Sequence, residues 1–119
     1  MDERLEKALE FSNFMVTLNN QRRLLEEKYH EDLLYFYNGS QFTVTKELIT
    51  FAGMLVANGQ DSDVVITDDN GIPAMISDLE EFYSEIVDVY FTASNAYYLN
   101  YVELKKNRSV EKLTAYDKK

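Results

Sequence analysis

The 119-residue sequence predicts an α+β fold, predominantly helical, with two long amphipathic helices, one short helix and two β-hairpins in the order α-ββ-α-ββ-α. Two heptad stripes predict the long helices, because apolar residues recurring at alternating steps of 3 and 4 fall on one helical side. Two turn signals, Asn38-Gly39 and Asp68-Asp69-Asn70-Gly71, each flanked by β-prone runs, predict the hairpins. By length the chain is expected to form a single domain, 1–119, large enough for a core without covalent staples.

Residues 1–30 read as the first long helix. Ala8, Phe11, Met15, Leu18, Arg22, Leu25 and Tyr29 follow at steps of 3, 4, 3, 4, 3 and 4, and Leu5, Leu9, Phe14 and Leu24 widen the stripe. Asn19-Asn20 is the weak point, where a break or kink is expected. In residues 31–45 the period shortens. Leu33-Leu34-Tyr35-Phe36-Tyr37 is aromatic-rich, and Gln41-Phe42-Thr43-Val44 alternates after the Asn-Gly turn.

Thr45 is placed to cap a short helix over 46–58, with Leu48, Ile49, Phe51, Ala52, Leu55 and Val56 on its buried side and Asn58-Gly59 as a left-handed stop. The second hairpin is expected over 61–76. Val64-Val65-Ile66 is β-branched, and Pro73 restricts its strand to an edge or to the first ladder position. The four strands are expected to combine into one antiparallel sheet.

Residues 77–107 carry the longest pattern. Tyr83, Val87, Tyr90, Ser94, Tyr97, Tyr101 and Leu104 form a heptad seam, widened by Ile86, Phe91, Ala93 and Tyr98. Ser77 and Glu80 stand at capping-box spacing, and acids at the start with bases near the end suit the helix dipole. Tyr90 and Tyr97, packed in such a seam, would each carry on the order of 3 kcal/mol. Residues 108–119 read as a tail, with a further turn or two over 109–116 and a frayed end from Asp117.

Composition narrows the chemistry. The net charge is −9, and eleven carboxylates but no Lys, Arg or His lie between Glu47 and Leu104. That acidity disfavours direct nucleic-acid binding. With no cysteine, disulfides, thiolate zinc sites and thiol catalysis are excluded, as fits a reducing compartment or a virion. Met1-Asp2-Glu3-Arg4 is unlike a secretion signal, and no apolar run reaches the length of a membrane span. Nine tyrosines and seven phenylalanines are many for this length, and tyrosine suits packed surfaces whose hydroxyls stay wet.

Catalytic, cofactor and metal residues are expected to be absent. His30, the single histidine, is placed to serve the end of the first helix. If Gly71 held the glycine position of a calcium loop, Ile66 and Ser77 would fill ligand positions, and both are the wrong type. Glu81, Glu85 and Asp88 share a helical face but lack the Glu-x-x-His of a four-helix metal site, and read as a solvated acidic face. Phosphate loops, Ser-His-Asp sets and His-Glu-x-x-His are missing. The tyrosine stripe reads first as a helix–helix seam rather than a base-stacking platform.

The stretches Leu18-Asn19-Asn20-Gln21-Arg22, Asn38-Gly39-Ser40-Gln41-Phe42-Thr43-Val44-Thr45 and Arg108-Ser109-Val110-Glu111-Lys112-Leu113 resemble small uncharacterised proteins of T4-like phages, above all those of marine cyanobacteria. The resemblance spans most of the chain and implies a virally encoded protein of virion assembly or DNA-metabolism support, in the host cytoplasm or the virion. It assigns no functional residue.

The expected function is therefore non-enzymatic: a self-associating phage-type protein, acting in assembly or as a minor structural or accessory component. Its expected interface comprises Phe11, Met15, Leu18, Tyr83, Val87, Tyr90, Tyr97, Tyr101 and Leu104. The expected partner is a second copy of the chain. An alternative is an acidic regulator that binds a basic protein or a nucleic-acid enzyme. A carboxylate-based metal protein ranks third.

Overall fold

A computed structural model describes residues 2–117, with side chains for residues 2–106. The elements are α1 (Glu3–Asp32), β1 (Leu34–Tyr37), β2 (Ser40–Thr43), α2 (Lys46–Ala57), β3 (Ser62–Thr67), β4 (Pro73–Asp78) and α3 (Leu79–Asp117). The fold is α+β in the order α-ββ-α-ββ-α. Helix α1 passes through Asn19-Asn20 unbroken, since each asparagine costs only about half a kcal/mol relative to alanine and Leu18 beside them is buried. Helix α3 continues through the stretch expected as a tail, because neither Gly nor Pro occurs from Leu79 onward to stop it. Of the frayed end expected over 117–119, Asp117 is the last residue of α3, and 118–119 lie outside the described residues.

Residue contacts gather into two compact units. Unit 1 comprises Met1–Lys28 and Ala96–Lys119, and unit 2 comprises Tyr29–Asn95.

Unit 2 holds the hairpins and α2. Asn38 and Gly39 both take positive φ, at 47° and 81°, so a two-residue turn sets Tyr37 opposite Ser40 and Tyr35 opposite Phe42. The Thr45 hydroxyl accepts the Leu48 amide at 3.1 Å and caps α2. At the other end Gly59 adopts φ 83°, Gln60 N–H donates to the Leu55 carbonyl, and Gly59 N–H donates to that of Val56. These two bonds end the helix in a Schellman motif.

The hairpins do not merge into one sheet; β1–β2 and β3–β4 are separate two-stranded ladders. Asp69, in the β3–β4 turn, occupies the free edge of β2. Its N–H donates to the Gln41 carbonyl at 2.9 Å, and its carboxylate accepts the Thr43 amide at 3.0 Å, the Thr43 hydroxyl at 2.6 Å and the Gln41 side-chain amide at 3.1 Å. One turn residue thus satisfies the edge groups that another strand would otherwise pair.

The start of α3 also differs from expectation. Asp78, not Ser77, caps it, accepting the Glu81 amide at 3.1 Å, while the Leu79 amide donates to the Asp61 carbonyl at 2.9 Å. Ser77 ends up in β4, its hydroxyl 3.2 Å from that of Tyr37. Capping one residue later goes with a different buried stripe. Leu79, Phe82, Ile86 and Ala93 are fully enclosed, whereas Tyr83, Val87 and Tyr90 lie on the flank, half-buried. Phe82 is the hub, with the rings of Phe42, Tyr35 and Tyr37 set edgewise to it at 5.4, 5.7 and 5.8 Å. Val44, Ala52, Ile66 and Ile76 complete the core around it. The tyrosines take the flank because their hydroxyls need water or a partner, as at Tyr29, whose oxygen lies 3.3 Å from Ser94 Oγ.

Two outcomes are expected. Phe82→Ala should cost about 3–5 kcal/mol in urea unfolding, and Tyr90→Ala clearly less, because only the first empties a closed site. The second concerns acid. Burial raises the Asp69 carboxyl, but bonds from the Thr43 hydroxyl and amide and from Gln41 outweigh it and hold the group below its ordinary value of 3.8. A lowered folded-state value stabilises the protein above the unfolded value, and that contribution fades as pH falls through the lowered one. Asp69→Asn should therefore lower Tm at neutral pH, and the deficit should shrink below about pH 4.

Candidate interaction surfaces

Of the acids near Gly71 that invite a calcium reading, Asp61, Asp63, Asp68 and Asp69, the last two are engaged in building and anchoring the turn. Asp68 is buried, and its Oδ1 accepts the amides of Asn70 and Ile72, both at 2.9 Å, while Asp69 holds β2 as described. Among the described residues no three of His, Cys, Asp and Glu gather as a metal site requires. Glu81, Glu85 and Asp88 are exposed, and His30 lies exposed in the last turn of α1. Also among the described residues, no helix is long and apolar enough to cross a membrane.

Apolar surface is the conspicuous feature of unit 1. Leu18 and Arg22 of α1 and Tyr101, Leu104 and Lys105 of α3 line one small cavity of about 60 Å³, so the two helices lie side by side. Of the expected interface residues, Leu18, Tyr101 and Leu104 therefore come together here. Leu18 is buried, Met15, Tyr97 and Leu104 are half-buried, and Phe11 and Tyr101 are exposed.

Leu5 and Leu9, expected to widen the stripe of Leu18, belong instead to a second stripe. Leu5, Leu9 and Val16 follow at steps of 4 and 7 on the side of α1 turned away from Leu18, and each is about half exposed. Leu24 adds to the exposed apolar surface of α1, and Tyr98, Leu99 and Val102 expose theirs on α3. The sequence carried the signal, since apolar residues occur around the whole circumference of α1 near its start, but a single best heptad concealed it.

Unit 2 offers a different surface. Lys46, Ile49 and Thr50 of α2 and Tyr83, Val87, Tyr90 and Phe91 of α3 border an open groove of about 490 Å³. Three expected interface residues, Tyr83, Val87 and Tyr90, meet here. Phe91 stands at 60% exposure. Gly53 makes the close approach of the helices feasible: a Cβ there would come within 3.0 Å of the Tyr83 ring.

Charge follows the same division. Unit 2 carries twelve carboxylates against one lysine, Lys46, a net of −11, whereas unit 1 carries nine against eleven bases, a net of +2. No family model matches the chain, and neither a curated protein nor a solved structure is significantly similar to it.

Gly53→Leu should drive the Tyr83 ring from its place and cost about 1–3 kcal/mol in chemical denaturation, despite the better helix propensity of leucine.

Proposed function

We propose that the protein is a non-enzymatic, self-associating component that pairs with a second copy through the helices of unit 1. The observation that carries this reading is the exposed stripe of Leu5, Leu9 and Val16 on α1, on the side of the helix opposite the buried Leu18. A helix apolar on two opposite sides requires cover on both. Together with Leu24, Tyr98, Leu99, Tyr101 and Val102, these side chains leave roughly half of their surface open. Pairing of unit 1 with unit 1 also avoids placing two units of net −11 face to face.

The resemblance to small proteins of T4-like phages supports a role in virion assembly, or as a minor structural or accessory component, in the host cytoplasm or the virion. No catalytic residue, cofactor or nucleic-acid contact enters this reading.

The test is molar mass by light scattering after size exclusion, at low and high salt. The wild type should run as a dimer or larger and stay so at high salt, because apolar burial is not screened. Leu9→Glu combined with Val16→Glu should return it to the mass of one chain while far-UV circular dichroism stays helical, since burying two unpaired carboxylates costs several kcal/mol. A wild type that is monomeric at every concentration contradicts the proposal.

A further inference from the structure

The groove of unit 2 calls for a different occupant. It lies between two helices, is lined by Ile49, Tyr83, Val87, Tyr90 and Phe91, and leaves Phe91 largely open to solvent. A channel between neighbouring helices accepts a third helix, whose apolar residues at i, i+3 or i+4, and i+7 seat in it.

The surrounding charge selects among such helices. Glu80, three residues before Tyr83, and Asp88, three before Phe91, are exposed on adjoining turns of α3, and Lys46 is the single lysine or arginine against twelve carboxylates in the unit. An acidic helix would be repelled, and unit 2 of a second copy carries the same −11. A helix with lysine and arginine beside its apolar stripe gains both burial and attraction.

We propose that this groove is a docking site for a cationic amphipathic helix of a partner protein. The site is separate from the self-pairing surface of unit 1 and does not depend on it. Lys46, at the border of the groove, favours an acidic or neutral residue of the partner opposite it. Association should be fast and salt-sensitive, in contrast to a salt-resistant apolar pairing.

Two synthetic helices of about five turns, identical in their leucine stripe but carrying lysine or glutamate elsewhere, provide the probe. Fluorescence anisotropy would follow their binding to the full-length protein and to Phe91→Arg, Thr50→Arg and Val65→Arg. All three substitutions add one positive charge at an exposed position, but Val65 lies on β3 and does not line the groove. Circular dichroism would verify folding of each, and Thr50→Arg, which removes no large side chain, keeps the test open if Phe91→Arg unfolds.

The lysine peptide should bind the wild type, weaken with salt, and lose about tenfold or more in affinity on the groove variants but little on Val65→Arg. Equal weakening by all three would reveal diffuse attraction and overturn the proposal. So would equal affinity for the glutamate peptide, or no binding. If Phe91→Arg instead lowers the molar mass of the protein and the lysine peptide does not bind, a second copy fills the groove and the proposal fails.

Discussion

Around Phe82 the rings of Tyr35, Tyr37 and Phe42 stand edge-on, all within 5.8 Å between centroids. That contact ties the first turn of α3 to the first hairpin and fixes which side of the helix turns inward. Once Phe82 is central, Leu79, Ile86 and Ala93 follow into the core by helical spacing, and the tyrosines of the neighbouring stripe move to its border. The same rotation that buries Phe82 leaves Tyr83, Val87, Tyr90 and Phe91 lining an open groove. Core and groove are two consequences of one packing choice.

Polar groups hold the rest of unit 2 in register with that choice. Two-stranded ladders are marginal by themselves, and each has two edges to protect. Asp69 resolves one edge by giving β2 both a donor and an acceptor, and the second hairpin is thereby attached to the first without a continuous sheet. Unit 1 lacks comparable cover. Its two helices meet at Leu18 and Leu104, and half-open leucine, valine and tyrosine side chains remain outside that contact. Apolar surface of this extent usually marks an interface.

The order of elements was legible in the sequence because each boundary carries its own local chemistry: Asn38-Gly39 for a left-handed two-residue turn, Thr45 for a cap, Gly59 for a stop. What escaped was set by distance or by choice between equals. Asp78 and Ser77 both qualify as caps, and the Tyr37 hydroxyl, distant in sequence, engages Ser77. Leu79-Phe82-Ile86 is as good a heptad fragment as Tyr83-Val87-Tyr90, and the aromatics of the first hairpin decide between them. The edge role of Asp69 has no signature short of the fold itself, since Asp-Asp-Asn-Gly is ordinary turn chemistry. The groove was legible only in halves, with its tyrosines read as a seam and its α2 border not associated with them.

The central claim is that the outer stripe of α1 is covered by a second copy. Amide hydrogen exchange across α1, followed as protein concentration rises, tests it most directly, because amides in a helix short of tertiary cover open more readily than those beneath an interface. The account predicts that protection over residues 5–16 grows with concentration while that around Phe82 stays constant. Protection over 5–16 that is the same at every concentration, in a protein of single-chain mass, would contradict it.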